Sequence, residues 1–310
     1  MNYKSIFNLL GILLGLFSLS FIPPLVLTFV YGESGREIFL YPFIFLFFLG
    51  GTLWVSTRQK NLPLNISDGF IITTMFWVVL ACAGSIPFYF FGLSIGDSIF
   101  ESVSGITTTG ATTIIGLDTL PKSILLYRQL LQWIGGMGLI ILAVAVMPAL
   151  GIGGGQLYKM ELPGSHGNQK LTPKITDSAK ALWKIYVGLT VLCATLYLIS
   201  GMSLFDSIAH SLSTVAGGGF STHDESIGFF DSGLIETVCI VFMLLSAASF
   251  AVHYAAIFGG KPLKYFYDSE FRFFLSVIIL ITSRPFITSI PTSFINFSKP
   301  FIILPVPPIE

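Results

Sequence analysis

Long apolar runs alternate with short polar breaks along most of the chain. Runs able to cross roughly 30 Å of hydrocarbon fall at Ile6–Val30, Ile38–Val55, Phe70–Leu93, Ile124–Leu150, Leu182–Leu204 and Gly233–Phe258, and a seventh begins at Phe271. The pattern predicts an all-α polytopic membrane protein. An N-terminal transmembrane hairpin (1–67) precedes two units of span, polar loop and span (68–150 and 182–259). A loop at 151–181 joins the units, and 260–310 reads as an aborted third unit with an atypical tail.

The breaks inside the two units repeat. Asp97 to Ala111 reads DSIFESVSGITTTGA, and Asp206 to Phe220, 109 residues later, reads DSIAHSLSTVAGGGF. Without a gap, Asp97, Ser98, Ile99, Ser102, Ser104 and Gly110 match Asp206, Ser207, Ile208, Ser211, Ser213 and Gly219. A short polar helix running into an extended Gly/Thr stretch between spans is the pattern of a pore loop. Non-helical backbone at membrane depth is tolerated only where protein buries it or a water-filled cavity receives it. A repeated element of this kind marks pseudosymmetric pores and transporters.

Composition agrees with the spans. The chain is 53% hydrophobic and 10% charged, with a mean hydropathy of +0.82, which excludes an ordinary soluble domain. A formal charge of zero gives nucleic-acid binding no electrostatic support. Cys82, Cys193 and Cys239 sit in apolar spans without metal-ligand spacing. His166, His210, His223 and His253 are scattered, with His210 expected to pack or hydrogen-bond locally on the first-loop counterpart in unit two. Gly135-Gly136-x-Gly138 and Gly151-x-Gly153-Gly154-Gly155 lack the strand-to-helix context of a nucleotide loop. Close helix packing and a flexible turn account for them. No Ser/His/Asp set or paired intramembrane carboxylates suggest an enzyme.

Loop charge sets the expected orientation. Lys4, Arg58, Lys60, Lys159, Lys170, Lys174, Lys180, Lys184, Lys261, Lys264 and Arg272 fall on one side, and Arg36, Lys122 and Arg128 on the other. The positive-inside rule then places the N-terminus in the cytoplasm, with both polar loops entering from outside. Asp118, Asp224, Glu225 and Asp231 lie on that outer side, either as a cation-attracting mouth or as solvated loop charges.

The loops suggest cation chemistry. Asp97 and Asp206 stand where an N-cap is expected, and capping competes there with cation attraction. A helix whose C-terminus points into the membrane turns a negative dipole end toward a cation. The following Thr107-Thr108-Thr109-Gly110 and Ala216-Gly217-Gly218-Gly219 present successive carbonyl oxygens. Neutral oxygens suit a weakly hydrated monovalent ion better than Mg²⁺ or Ca²⁺, which favour carboxylates. Arg128 stands at the outer start of its span, as a snorkelling side chain or a pore residue.

Several segments resemble the TrkH family, the membrane subunits of bacterial Trk potassium uptake systems. They are SVSGITTTGAT (Ser102–Thr112), RQLLQWIGGMGLIILAVAVMPALGIGG (Arg128–Gly154), KLTPKITDSAKALWKIY (Lys170–Tyr186), STVAGGGFSTHDESIGFF (Ser213–Phe230) and AVHYAAIFGGKPLKYFYDSEFRFF (Ala251–Phe274). The likeness extends to about Ile281. It implies four span–loop–span units around one K⁺ pathway, two of which are present here. It makes Gly110 and Gly219 the filter glycines, with Thr108, Thr109, Gly217 and Gly218 supplying ion-facing carbonyls. The family usually carries a branched apolar residue where Gly217 stands, so this strand is expected to lose side-chain packing. The resemblance further implies no cofactor beyond K⁺ as transported ion, a bacterial inner-membrane location, a cytosolic nucleotide-binding Trk regulatory partner and a homodimer. Composition shifts at Ser283-Arg284-Pro285, and Pro291–Glu310 adds no Thr/Gly filter, so the chain reads as C-terminally truncated. Potassium uptake is therefore one expectation. The alternatives are a non-conducting remnant, a regulatory subunit of a full-length relative, or an assembly module that packs through glycine-rich helices.

Overall fold

The computed structural model describes residues 3–58, 66–150, 175–260 and 263–282, with side chains omitted at 66–67, 139–150, 175–180 and 250–251. The loop at 151–174 and the segment from 283 onward, with the changes of composition expected there, lie outside the described residues. The chain divides into two compact units, Met1–Tyr254 and Ala255–Glu310.

In the first unit the opening apolar run is two helices, α1 (Tyr3–Ser18) and α2 (Ile22–Val30), joined by a 3-10 turn at Leu19–Phe21. Proline at the start of α2 is tolerated because the first helical N–H groups need no intrahelical partner. Helix α3 (Glu37–Thr57) returns against α1. A Cβ on Gly50 would fall 2.7 Å from the Gly11 carbonyl oxygen, so the two backbones touch, as small residues permit between membrane helices. Asn8 Nδ2 secures the pair by donating to the Trp54 carbonyl at 3.0 Å.

Two similar sets of helices follow. Helix α4 (Ile66–Phe91), short helix α5 (Ile95–Ile106) and α6 (Lys122–Leu150) form one. Helix α7 (Ile175–Ile199), short helix α8 (Leu204–Ala216) and α9 (Gly233–Ala247) form the other. The run expected to continue to Phe258 instead breaks at Ala248, whose backbone is extended, and resumes as α10 (Phe250–Ile257). In the second unit, α11 (Lys264–Tyr267) leads into α12 (Ser269–Thr282).

The burial pattern is that of a membrane protein turned toward lipid. Phe48 is 66% exposed and Ile199 74%, whereas Arg128 and Glu101 are fully buried. Among the described residues, Tyr3–Val30, Glu37–Thr57, Asp68–Phe91 and Ala181–Ile199 are long and apolar enough to span a bilayer. Tyr127 of α6 packs against Phe21, Phe39 and Phe88, and donates its hydroxyl to the Gly84 carbonyl at 2.7 Å. This ring cluster fixes α6 against the hairpin and α4. The hairpin also caps α6: the Glu33 carboxylate accepts from the Lys122 N–H at 2.7 Å and the Ser123 N–H at 3.3 Å, where a helix start favours negative charge.

Candidate functional site: two matched loops

The sequence repeat becomes a repeat of geometry. Each short helix starts at a serine, Ser94 or Ser203, which follows a left-handed glycine, Gly92 (φ 110°) or Gly201 (φ 107°), by two residues. The serine hydroxyl accepts from the backbone N–H three residues on, Asp97 or Asp206, at 3.1 Å in both copies. It donates to that residue's carboxylate at 2.6 and 2.7 Å. The caps are thus Ser94 and Ser203. Asp97 and Asp206 stand at the third helical position, which corrects the N-cap expected for them; their side chains complete a reciprocal capping arrangement.

Past each helix the chain leaves regular structure in the same way. The N–H groups of Thr109 and Gly218 return to the carbonyls of Ser104 and Ser213 at 2.9 and 3.0 Å. Thr108 (φ 55°) and Gly217 (φ 68°) are both left-handed, as are Gly110 (φ 78°) and Gly219 (φ 83°). Glycine at position 217 therefore relaxes a backbone that Thr108 adopts against its Cβ. The side-chain loss expected at Gly217 comes with this conformational ease. None of the hydrogen bonds among the described residues ends on the carbonyl oxygens of Thr108, Thr109, Gly110, Gly217, Gly218 or Gly219. The two loops meet: a Cβ on Gly110 would overlap the Gly218 carbonyl oxygen.

Behind the loops lies a buried ion pair. Arg128 Nε donates to Glu101 Oε2 at 3.3 Å, with both side chains fully buried. Glu101 Oε1 accepts from the Thr112 hydroxyl, from the Thr113 N–H at 2.7 Å and, at 3.4 Å, from the Ile114 N–H. The carboxylate thereby fixes the chain just after Gly110. Arg128 also donates to the Thr112 hydroxyl at 2.9 Å and the Ser221 carbonyl at 3.1 Å, and lies 4.3 Å over the Phe220 ring. Arg128 thus neither snorkels nor faces the loop carbonyls; it ties loop one to loop two. Several directional bonds compensate the desolvation of this pair, as a buried charge requires.

His210 occupies in unit two the position of Glu101 in unit one. Its Nε2 lies 2.9 Å from the Ser221 hydroxyl and its Nδ1 3.0 Å from the Asp206 carbonyl. This is the local hydrogen bonding expected for it. Outside the loops, Asp224 Oδ1 accepts from the N–H groups of Gly116 and Leu117, each at 3.1 Å. His223 Nδ1 donates to Asp118 at 2.5 Å, and its ring stacks on Phe229 at 3.6 Å. The imidazole bond holds the Asp118 carboxyl below its ordinary 3.8. Asp118 and Asp224 are therefore engaged in joining the loops. Gly135 and Gly136 show the expected close packing, with Gly135 against the Ile106 backbone and Gly136 against Ala216 and the Tyr186 hydroxyl. Sequence reasoning names Arg128, with Gln129 and Gln132 beside it at the start of the span, but gives them no bracing role, and it passes over Glu101; the signal for that role is a polar residue in an apolar span or at a pore-helix position.

An all-α, polytopic membrane protein whose two short helices deliver paired glycine loops belongs to the class of membrane proteins built from repeated helix–loop–helix units. The comparisons narrow this. The chain belongs to the TrkH family, described as cation transport proteins, whose profile matches residues 35–299. The match continues past residue 283, where composition shifts. The Trk system potassium uptake protein TrkH of Vibrio parahaemolyticus is 48% identical over 286 residues, covering 91% of this chain and 59% of that protein. The Escherichia coli K12 proteins TrkH and TrkG are 45% and 43% identical, covering 58% and 59% of their own lengths. The crystal structure of the potassium transporter TrkH from Vibrio parahaemolyticus superposes with a TM-score of 0.79 at 45% identity, over 91% of this chain and 58% of that one. The chain spans somewhat less than three fifths of the length of these relatives. TrkH family members are transporters and not enzymes.

Proposed function

We propose that this chain contributes to a K⁺ uptake pathway through the bacterial inner membrane. The observation that carries the reading is the matched pair of loops whose six carbonyls, at Thr108, Thr109, Gly110, Gly217, Gly218 and Gly219, enter no described hydrogen bond. A carbonyl left without a donor at membrane depth is costly unless an ion or water satisfies it. Stacked neutral oxygens replace the hydration shell of a monovalent cation. The C-terminal ends of α5 and α8 lead into these loops and favour positive charge there. The names of the relatives supply the ion, potassium.

The loop charges support a cytoplasmic N-terminus, with the Asp118–His223 side facing outward. Residues 68–150 and 182–259 act as the two pore-loop units, 1–67 as a flanking hairpin and 151–181 as a cytoplasmic connection. The family membership supports a cytosolic nucleotide-binding Trk regulatory subunit and a homodimer as partners. Two loops face an ion from two sides, and the four units that the family resemblance implies would close the ring.

A second reading has its own observation. Loop one and loop two are joined by direct contact and by Arg128, and such a braced pair also suits a non-conducting or regulatory subunit. Growth of a K⁺-uptake-deficient bacterium on low K⁺ decides between them. Rescue by the chain, lost in Gly110→Ala, supports conduction. Absence of rescue with the chain present in the membrane selects the second reading.

A further inference from the structure

One side chain reaches both loops without being a plausible ion ligand. Gln132 of α6 is fully buried. Its Oε1 accepts from the Ser213 hydroxyl at 2.7 Å and from the Phe220 N–H at 3.0 Å. Both partners can donate, so the oxygen end of the amide is fixed by its surroundings. The carboxamide also lies flat against loop two: a Cβ on Gly218 would overlap its Cδ, Oε1 and Nε2. The φ of Gly218 is not left-handed, so close approach of Gln132 is what demands glycine there. On the other side, a Cβ on Gly110 would stand 3.6 Å from Nε2. That nitrogen has no hydrogen-bond partner among the described residues. The amide is therefore packed on Gly218 of loop two, beside the point where that residue meets Gly110 of loop one.

We propose that Gln132 is a positioning residue, a rigid wedge beside the contact of the two loops that sets how loop two stands against loop one and through it the size of cation they accept. The proposal rests on the reading of these loops as an ion pathway. A wedge differs from a simple core residue in two respects. Its oxygen fixes the backbone N–H directly after Gly219, and its amide packs against Gly218 while bordering the space beside Gly110. Removing the oxygen frees the Phe220 N–H and the Ser213 hydroxyl while leaving all six loop carbonyls chemically unaltered.

The test compares the full chain with Gln132→Leu, which keeps bulk and removes the acceptor, and with Ser213→Ala, which removes one of the two bonds without a change of size. Gln129→Leu is the control, one turn away and also buried. Hydrogen exchange of the purified proteins is followed over 104–113 and 213–222, and uptake of K⁺ and Na⁺ is measured in cells. Gln132→Leu is expected to speed exchange in both segments by at least about tenfold, the factor for one of the two buried hydrogen bonds it removes. It is also expected to raise Na⁺ uptake relative to K⁺. Ser213→Ala is expected to shift both readouts in the same direction by less, and it decides the matter if Gln132→Leu does not reach the membrane. Faster exchange in 213–222 alone, an equal effect of Gln129→Leu, or unchanged ion preference in a transporting Gln132→Leu would each overturn the wedge. If the unaltered chain transports neither ion, the pathway reading fails, and the exchange pattern still decides whether Gln132 spaces the loops.

Discussion

Gly110 and Gly219 occupy equivalent positions, yet alanine should harm them unequally. Both are left-handed, at φ 78° and 83°, and an L-residue held in that region costs about 1–2 kcal/mol. There the likeness ends. An added Cβ at Gly219 meets nothing within 4 Å, whereas at Gly110 it would overlap the Gly218 carbonyl oxygen. Overpacking against a fixed backbone typically adds about 1–3 kcal/mol. Gly219→Ala should thus lose about 1–2 kcal/mol, and Gly110→Ala about 2–5 kcal/mol. Reversible unfolding of the purified chain in mixed micelles, titrated with SDS, measures the difference directly. Uptake should follow the same order, because the Gly110 substitution displaces a carbonyl of the opposite loop as well as its own. Equal destabilisation by the two substitutions, or a larger loss at Gly219, would refute the account of loop contact given by the structure.

Three further outcomes follow from the surrounding bonds. Glu101→Gln leaves Arg128 buried without its counter-charge and should lose about 3–5 kcal/mol, while adding Arg128→Leu to it should recover part of that loss in the same unfolding assay. Ser94→Ala and Ser203→Ala each remove one cap and should each cost about 1 kcal/mol, with the two effects additive in the double variant. Asp118 has a lowered carboxyl pKa because His223 bonds to it, so its contribution is present above the ordinary 3.8 and is lost as pH falls through the lower folded value. Wild type should therefore exceed Asp118→Asn in stability at pH 5–7, and the gap should close below the ordinary carboxylate range; a gap that widens on acidification contradicts this sign.

Hydropathy located the four spans found among the described residues because lipid-facing helices need no periodicity, and Phe48 or Ile199 is as informative as a buried leucine. The repeat located the loops because the helix, the turn and Gly110 or Gly219 must recur together. What stayed hidden was pairwise. Nothing local in the sequence shows that Arg128 meets Glu101, 27 residues away, or that it bonds the Ser221 carbonyl, 93 residues away. Asp97 and Asp206 were placed at the cap because Asp is a strong capping residue. Ser94 and Ser203 hold an equal claim, and the turns at Gly92 and Gly201 settle it in their favour. The break at Ala248 was illegible for a similar reason: Ser246–Phe250 has no proline or glycine to announce it.

The two loops are held by the same position with different chemistry, and this makes the repeats depend on each other unequally. Glu101 and His210 correspond, as do their partners Thr112 and Ser221. A buried carboxylate can collect the Thr112 hydroxyl and two N–H groups at once, but it requires a cation nearby. An imidazole bonds the Ser221 hydroxyl and the Asp206 carbonyl with no obligatory counter-charge. Loop one is thus gripped more firmly from within its own unit. Loop two takes its additional bonds from α6, through Arg128 to Ser221 and Gln132 to Phe220. Changes in α6 should then loosen both loops, whereas changes at His210 should loosen only the second. The first repeat serves as the frame on which the second is aligned, and pseudosymmetric sequence has produced a hierarchy of support in place of two equal halves.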